Sequence, residues 1–120
     1  MVSYENLGVY KSSFDLCVYF EKIVKNFNKG NKFTIGADLK NKSREIAMQV
    51  VRANISSTKI KEIQELIILI EEQKLIVRLC QETNGFPNKN SYGYISKLLT
   101  NLTTQANNWL LCSQKREQTE

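Results

Sequence analysis

The sequence predicts an all-α protein, an up-down-up-down antiparallel bundle of four helices. Apolar residues recur at three- and four-residue spacings along most of the chain, and no segment shows the strict apolar–polar alternation of a strand. The 120 residues contain a single proline, and the predicted connections are short, so consecutive helices are expected to lie antiparallel. With 42% hydrophobic residues, the chain is expected to fold as one domain with one core.

The first helix is predicted over residues 7–28. Its apolar residues follow one another at intervals of three and four, as a buried stripe requires: Leu7, Tyr10, Phe14, Cys17, Phe20, Val24 and Phe27. Gly30 follows between two asparagines, and we expect it to end the helix in a left-handed backbone conformation.

The second helix is predicted over residues 35–54. Thr34 stands before it as a candidate N-cap, and Asp38 places a negative charge in its first turn, where the helix dipole favours one. Ser56 and Ser57 then form a short connector to the next helix.

The third helix is predicted over residues 59–83, with Thr58 as its cap. It is apolar on more than one side, so we expect it to contact several partners. Gly85 is expected to supply a left-handed cap, and Pro87 prevents the helix from continuing.

The fourth helix is predicted over residues 89–112 and carries a heptad seam: Tyr92, Ile95, Leu99, Leu102, Ala106 and Trp109. Trp109 is interpreted as a core or interface anchor. The polar tail over residues 113–120 is expected to fray.

The composition argues against most enzyme classes. Histidine is absent, and Cys17, Cys80 and Cys112 are widely spaced, which removes His-based acid–base catalysis, Cys–His nucleophiles and the common zinc patterns. Each cysteine lies in an apolar stretch and is predicted to be a small buried hydrophobe. We therefore expect a non-catalytic protein without metal or cofactor. No signal sequence or membrane-spanning stretch is visible, so a cytoplasmic location is expected.

Positive charge is the main clue to a partner. The chain has 17 Lys and Arg against 12 Asp and Glu, a formal net charge of +5. On a helical wheel of the first helix, Lys22, Lys25 and Lys29 fall within about 40° of Lys11. Such a face can lie along a phosphate backbone, although an ordinary solvated face explains it as well. The following segment adds Lys32, Lys40 and Arg44.

Arg78 lies among apolar residues of the third helix, so its guanidinium is expected to need a partner. We interpret it as structural, in an ion pair within or between subunits. Asp38, Glu45 and Glu82 are possible partners, which the sequence does not rank.

Several short motifs occur in order along the chain: Phe14-Asp15-Leu16, Phe27 with Phe33-Thr34-Ile35-Gly36, Val77-Arg78-Leu79 and Asn108-Trp109-Leu110. In their order and spacing, over residues 7–110, the chain resembles the accessory variability determinant proteins of diversity-generating retroelements. These belong with the four-helix-bundle proteins encoded by large-subunit rRNA intervening sequences.

The resemblance implies a bundle that assembles into a pentameric ring and binds RNA and DNA with little sequence preference. It also implies association with the retroelement reverse transcriptase during mutagenic copying of RNA into cDNA. By position, it implies these contact residues: Lys22, Lys25, Lys29, Lys32, Lys40 and Arg44. A protein of the intervening-sequence type, acting as an oligomeric protein-interaction module without nucleic-acid binding, is the alternative.

Overall fold

The computed structural model describes residues 7–119. Its elements are α1 (Leu7–Val24), α2 (Lys29–Lys32), α3 (Ile35–Ile55), α4 (Lys59–Glu82) and α5 (Ser91–Thr119). No strand occurs in residues 7–119, and the four long helices pack together, which confirms the all-helical prediction.

Each long helix contacts two others: α1 lies against α3 and α5, and α4 likewise lies against α3 and α5. The short α2 packs on α3. The molecule measures 53 × 20 × 19 Å, so the core is a long column between the helices. Its hydrophobic residues are Val9, Leu16, Phe20, Val24, Phe27, Leu39, Ile46, Val50, Ala53, Ile63, Leu66, Ile70, Val77, Cys80, Ile95, Leu99, Leu102, Ala106 and Trp109.

The buried stripe of α1 differs from the predicted one. Tyr10 and Phe14 are 40% and 55% exposed, whereas Ser13 and Leu16 are buried. Ser13 tolerates burial because its hydroxyl donates a hydrogen bond to the Tyr10 carbonyl at 2.9 Å. Apolar residues cover a broad arc of this helix, so spacing alone did not select the face that α3 and α5 cover. The side chain of Leu7, predicted in the stripe, lies outside the described residues.

The first corner also differs from the prediction. The helix ends at Val24 instead of residue 28, and α2 begins after Asn28, whose side chain accepts a hydrogen bond from the Asn31 N–H at 2.9 Å. Gly30 lies inside α2 and has no left-handed backbone conformation. Because Asn28 caps a new helix, the chain turns without a glycine C-cap.

Gly36 allows α3 to approach this corner closely. A Cβ atom at Gly36 would lie 2.8 Å from Val24 Cγ1 and 2.9 Å from the Asn31 carbonyl oxygen. Thr34 stands at the N-cap position, but its hydroxyl donates to the Gly30 carbonyl at 2.8 Å and caps no N–H of α3. Thr58 holds the equivalent position before α4, also without a capping bond.

The turn after α4 assigns different roles to its two central residues than expected. Asn84, with φ of 57°, adopts the left-handed conformation predicted for Gly85. Gly85 is instead buried against Cys80: its N–H donates to the Cys80 carbonyl at 2.8 Å, and a Cβ would lie 2.6 Å from the sulfur. Glycine is required here for space, and asparagine tolerates the left-handed backbone.

The last helix is longer than predicted at its C-terminal end. It begins at Ser91 and continues to Thr119, so residues 113–119 extend the helix and do not form a separate tail. Ser113 is buried, and together with Glu117 it lines a depression beside Ser56 and Ser57 of the α3–α4 connector. The end of α5 therefore lies beside the α3–α4 connector. Glu120 lies outside the described residues.

Candidate nucleic-acid interface

Five lysines without an acidic partner gather where α1, α2 and α3 meet. We call them the lysine corner: Lys22, Lys25, Lys29, Lys32 and Lys40. The first three are exposed, and Lys32 and Lys40 are half-buried. Within residues 7–119, none of the five has an Asp or Glu oxygen within ion-pair distance. The acids nearest in sequence are Glu21, which pairs with Arg44, and the exposed Asp38 in the first turn of α3, so the corner keeps an excess of positive charge.

The predicted single face of four lysines on one helix does not form. Because α1 ends at Val24, Lys25 lies in the turn and Lys29 begins α2. Lys22 remains on α1, opposite the buried Phe20 and Val24 side. These lysines come together because the chain turns between helices, not because they share one face of a single helix.

Two of the predicted contact residues are tied to local acids. Lys11 Nζ lies 2.9 Å from Asp15 Oδ2, one helical turn away on α1. Arg44 Nε donates to Glu21 Oε2 at 2.7 Å. Lys11 is also about 16 Å from Lys22 along the helix, at about 1.5 Å per residue. The structure thus separates Lys11 from the corner and gives Arg44 an internal partner.

Two of the five acidic residues of α4, Glu71 and Glu72, are paired with lysines. Lys42 lies 2.9 Å from Glu72 and 3.4 Å from Glu45, and the hydrogen bond to Glu72 raises the pKa of Lys42. Lys74 pairs with Glu71 at 2.7 Å. Glu45, Glu71 and Glu72 are therefore paired with lysines that lie outside the lysine corner.

Phe33, at the same corner, was not among the candidate binding residues named from the sequence. Its side chain is 70% exposed, directly after Lys32 and before the start of α3. The other aromatic residue of the corner, Phe27, is buried and meets Phe86 edge-to-face, with ring centroids 5.8 Å apart. The sequence offered one signal for Phe33: a large aromatic residue between the first two predicted helices, outside the apolar spacing of both.

Arg78 is exposed, although its apolar neighbours in the sequence suggested that its guanidinium would need a partner. No acidic partner lies within ion-pair distance among the described residues, and Glu45 is taken by Lys42. Arg78 instead borders a groove of about 270 Å³ between α4 and α5, together with Tyr92 and Ser96. The apolar residues beside it in sequence include exposed Leu75 and Leu79, so an apolar stretch did not mean burial. Trp109 is buried in the core.

A second exposed surface is apolar. Ile68, Leu75 and Leu79 are 52%, 69% and 55% exposed, and their spacing of seven and four residues places them on one face of α4. We call this the α4 stripe. The third predicted helix was apolar on more than one side. One of these sides packs into the bundle core, and the α4 stripe is a second side that the core does not cover.

The three cysteines are free thiols in different surroundings. Cys80 is buried, as predicted, and burial raises its pKa to about 11. Cys17 is half-buried; burial raises its pKa, and its thiol donates to the Ser43 carbonyl at 3.0 Å. Cys112 is exposed, so its predicted burial is wrong.

The described residues bring together no group of three His, Cys, Asp or Glu side chains that could hold a metal ion. Within residues 7–119, no helix combines the length and apolar character needed to cross a bilayer.

Fold and surface together define a helical bundle with one strongly basic corner. No family model, curated protein or solved structure matches the chain. The resemblance to retroelement accessory proteins therefore stays a prediction.

Proposed function

We propose that the protein is a non-catalytic, cytoplasmic nucleic-acid-binding accessory subunit. It holds RNA or cDNA electrostatically while a reverse transcriptase of a diversity-generating retroelement performs the copying. The observation that carries this proposal is the lysine corner, whose five cations have no acidic partner among the described residues. Lysines of this kind attract phosphates by releasing counterions and read no sequence.

In this proposal, the helices alternate in direction, and the subunits form a ring, taken as pentameric from the family resemblance. Contacts at two levels along α1 and α3 support opposite directions for these two helices. Cys17 on α1 contacts Ser43 on α3. Seven residues later on α1, Val24 lies beside Gly36, which is seven residues earlier on α3. The α4 stripe supports self-association, because it leaves large apolar side chains in solvent. A ring repeats the lysine corner and strengthens binding through multivalency.

The test is a titration into fluorescent single-stranded RNA and duplex DNA at low and near-physiological salt, read by anisotropy. Each neutralised phosphate is expected to lower the logarithm of the binding constant by about 0.7 to 0.9 per tenfold increase in salt. The combined changes Lys22→Glu, Lys25→Glu and Lys29→Glu are expected to abolish binding without unfolding the protein, because all three side chains are exposed. Undiminished affinity in this folded triple variant would contradict the assignment.

A matched control separates local charge from net charge. Lys25→Glu with Lys29→Glu changes the net charge by the same amount as Lys61→Glu with Lys115→Glu. All four lysines are exposed, but Lys61 and Lys115 lie near the start of α4 and the end of α5, away from the corner. The corner variant is expected to lose much more affinity. Equal losses would show that binding follows net charge alone.

The alternative function, an oligomeric protein-interaction module, is favoured by the α4 stripe. It predicts an oligomer that binds neither probe even at low salt. The genomic neighbourhood discriminates as well: a reverse-transcriptase gene with near-identical repeats favours the accessory subunit, and a location inside an rRNA gene favours the alternative.

A further inference from the structure

We propose that Phe33 stacks on an unpaired base, which makes the lysine corner selective for single-stranded nucleic acid. This inference rests on the proposed function and adds to it a substrate class, because charge alone gives no preference for a single strand over the more densely charged duplex.

Hydrogen bonds fix the backbone around Phe33, and its ring is exposed to solvent. Phe33 is the C-cap of α2, where its N–H donates to the Asn31 carbonyl. The next residue, Thr34, ties the turn to the Gly30 carbonyl at 2.8 Å. The side chain is 70% exposed and makes no aromatic contact with the described residues. A fixed backbone therefore presents a large apolar ring that the core does not use.

The neighbouring charges favour a polyanion as the occupant. Lys32 precedes Phe33 in the chain, and Lys29 lies one turn before it. An apolar protein surface covering the ring would also bury these unpaired ammonium groups, which is costly. A single strand satisfies both features, because its phosphates meet the lysines while an unstacked base offers a flat π face to the ring. In a duplex, the bases are already stacked and paired.

The test compares a single-stranded 20-nucleotide oligouridylate with a duplex DNA of the same length, each titrated with wild type and Phe33→Ala at one salt concentration. Phe33→Ala is expected to weaken single-strand binding about 5- to 150-fold, the range for loss of one stacked base. Duplex affinity and the salt dependence are expected to stay unchanged, because no charge is removed. Phe14→Ala is the matched control: Phe14 is also exposed, but it lies on α1 and is not part of the corner.

A second measurement reports stacking directly. Phe33→Trp places an indole at the corner, and the native Trp109 is buried at 2% exposure. Adding the oligouridylate is expected to quench the fluorescence of this variant, whereas the wild type keeps its signal. Quenching that is equal in both proteins would contradict stacking at residue 33.

The outcomes separate this inference from the proposed function. If the wild type binds neither probe, the nucleic-acid function itself fails. If it binds both and Phe33→Ala changes neither affinity, or both equally, only stacking is overturned. If Phe33→Ala instead lowers the molecular mass in light scattering and leaves single-strand binding intact, the ring contacts a protein partner and the inference is again overturned.

Discussion

The turn after α4 has two requirements, a left-handed backbone and close packing, and Asn84 meets the first while Gly85 meets the second. Asn84 adopts φ of 57°, whereas Gly85 beside it is needed for close packing on Cys80. Asn84→Ala is expected to lower the free energy of unfolding by about 1 kcal/mol, because alanine lacks the local hydrogen bonds that make this backbone accessible to asparagine. Asn84→Gly is expected to retain or raise it. Urea denaturation of both variants provides the measurement, and equal destabilisation would contradict this interpretation.

Cys80 is expected to make stability depend on alkaline pH. Burial raises its pKa from 9.0 to about 11, so between these values the unfolded chain loses the thiol proton while the folded protein retains it. The unfolding free energy therefore falls as pH rises from about 9 to 11, by at most about 3 kcal/mol at 1.36 kcal/mol per pKa unit.

Urea denaturation at pH 8, 9 and 10 measures this dependence against two variants. Cys80→Ala is expected to be less stable overall but less sensitive to pH. Cys112→Ala, at an exposed cysteine, is expected to follow the wild type. If Cys80→Ala loses stability with pH as steeply as the wild type, other groups cause the effect.

At the scale of elements, the sequence located α3 and α4 well. Their observed ends, Ile55 and Glu82, lie one residue from the predicted ones, because polar connectors interrupt the helical pattern there. The end of α1 was missed because the apolar spacing continues to Phe27, whereas the helix gives way to turns after Val24 before Asn28 caps the next one. The lysines of the site were named from charge, but their meeting at a corner depends on that turn, and Phe33 carried no periodic signal.

Gly36 and Gly93 show the difference between a glycine needed for close packing and a glycine that only weakens its helix. Gly36→Ala is expected to destabilise the protein by about 1–3 kcal/mol, because the new methyl group would press on Val24 and on the Asn31 backbone. Gly93 lies in the first turn of α5, where a Cβ atom would meet no neighbouring group of the described residues within 4 Å. Gly93→Ala is expected to stabilise by about 0.5–1 kcal/mol through helix propensity alone.

Thermal and urea unfolding of the two glycine variants test this contrast. The Gly36→Ala change should also weaken nucleic-acid binding, since Gly36 sets the approach of α3 to the turn that carries Lys25 and Lys29. Equal stability of both variants would mean that the corner relaxes around the added methyl group, and the close approach would then have no energetic role.

For the whole molecule, the pattern of two surfaces is the main result. Basic charge collects at the α1–α2–α3 corner, and exposed apolar side chains form the α4 stripe, with a further exposed set on α3 at Met48, Val51 and Ile55. Sequence composition established the excess charge but did not show which cations stay unpaired, because Arg44 and Lys42 find Glu21 and Glu72 only through tertiary contacts. The separation of the two surfaces allows one to contact nucleic acid while the other contacts protein.

The α4 stripe gives the prediction that tests assembly. Leu75→Gln with Leu79→Gln is expected to reduce the mass in light scattering from that of an oligomer to that of a 13.9 kDa chain. The thermal unfolding of the subunit should change little, because both side chains are exposed in the single chain. Met48→Gln with Val51→Gln, at exposed apolar positions on α3, is the matched control and should leave the mass unchanged. Nucleic-acid affinity of the dissociated variant is expected to fall through lost multivalency, while its lysine corner still binds weakly. A wild type that is monomeric at tens of micromolar would contradict the ring, and dissociation of the control pair alone would move the subunit interface to α3.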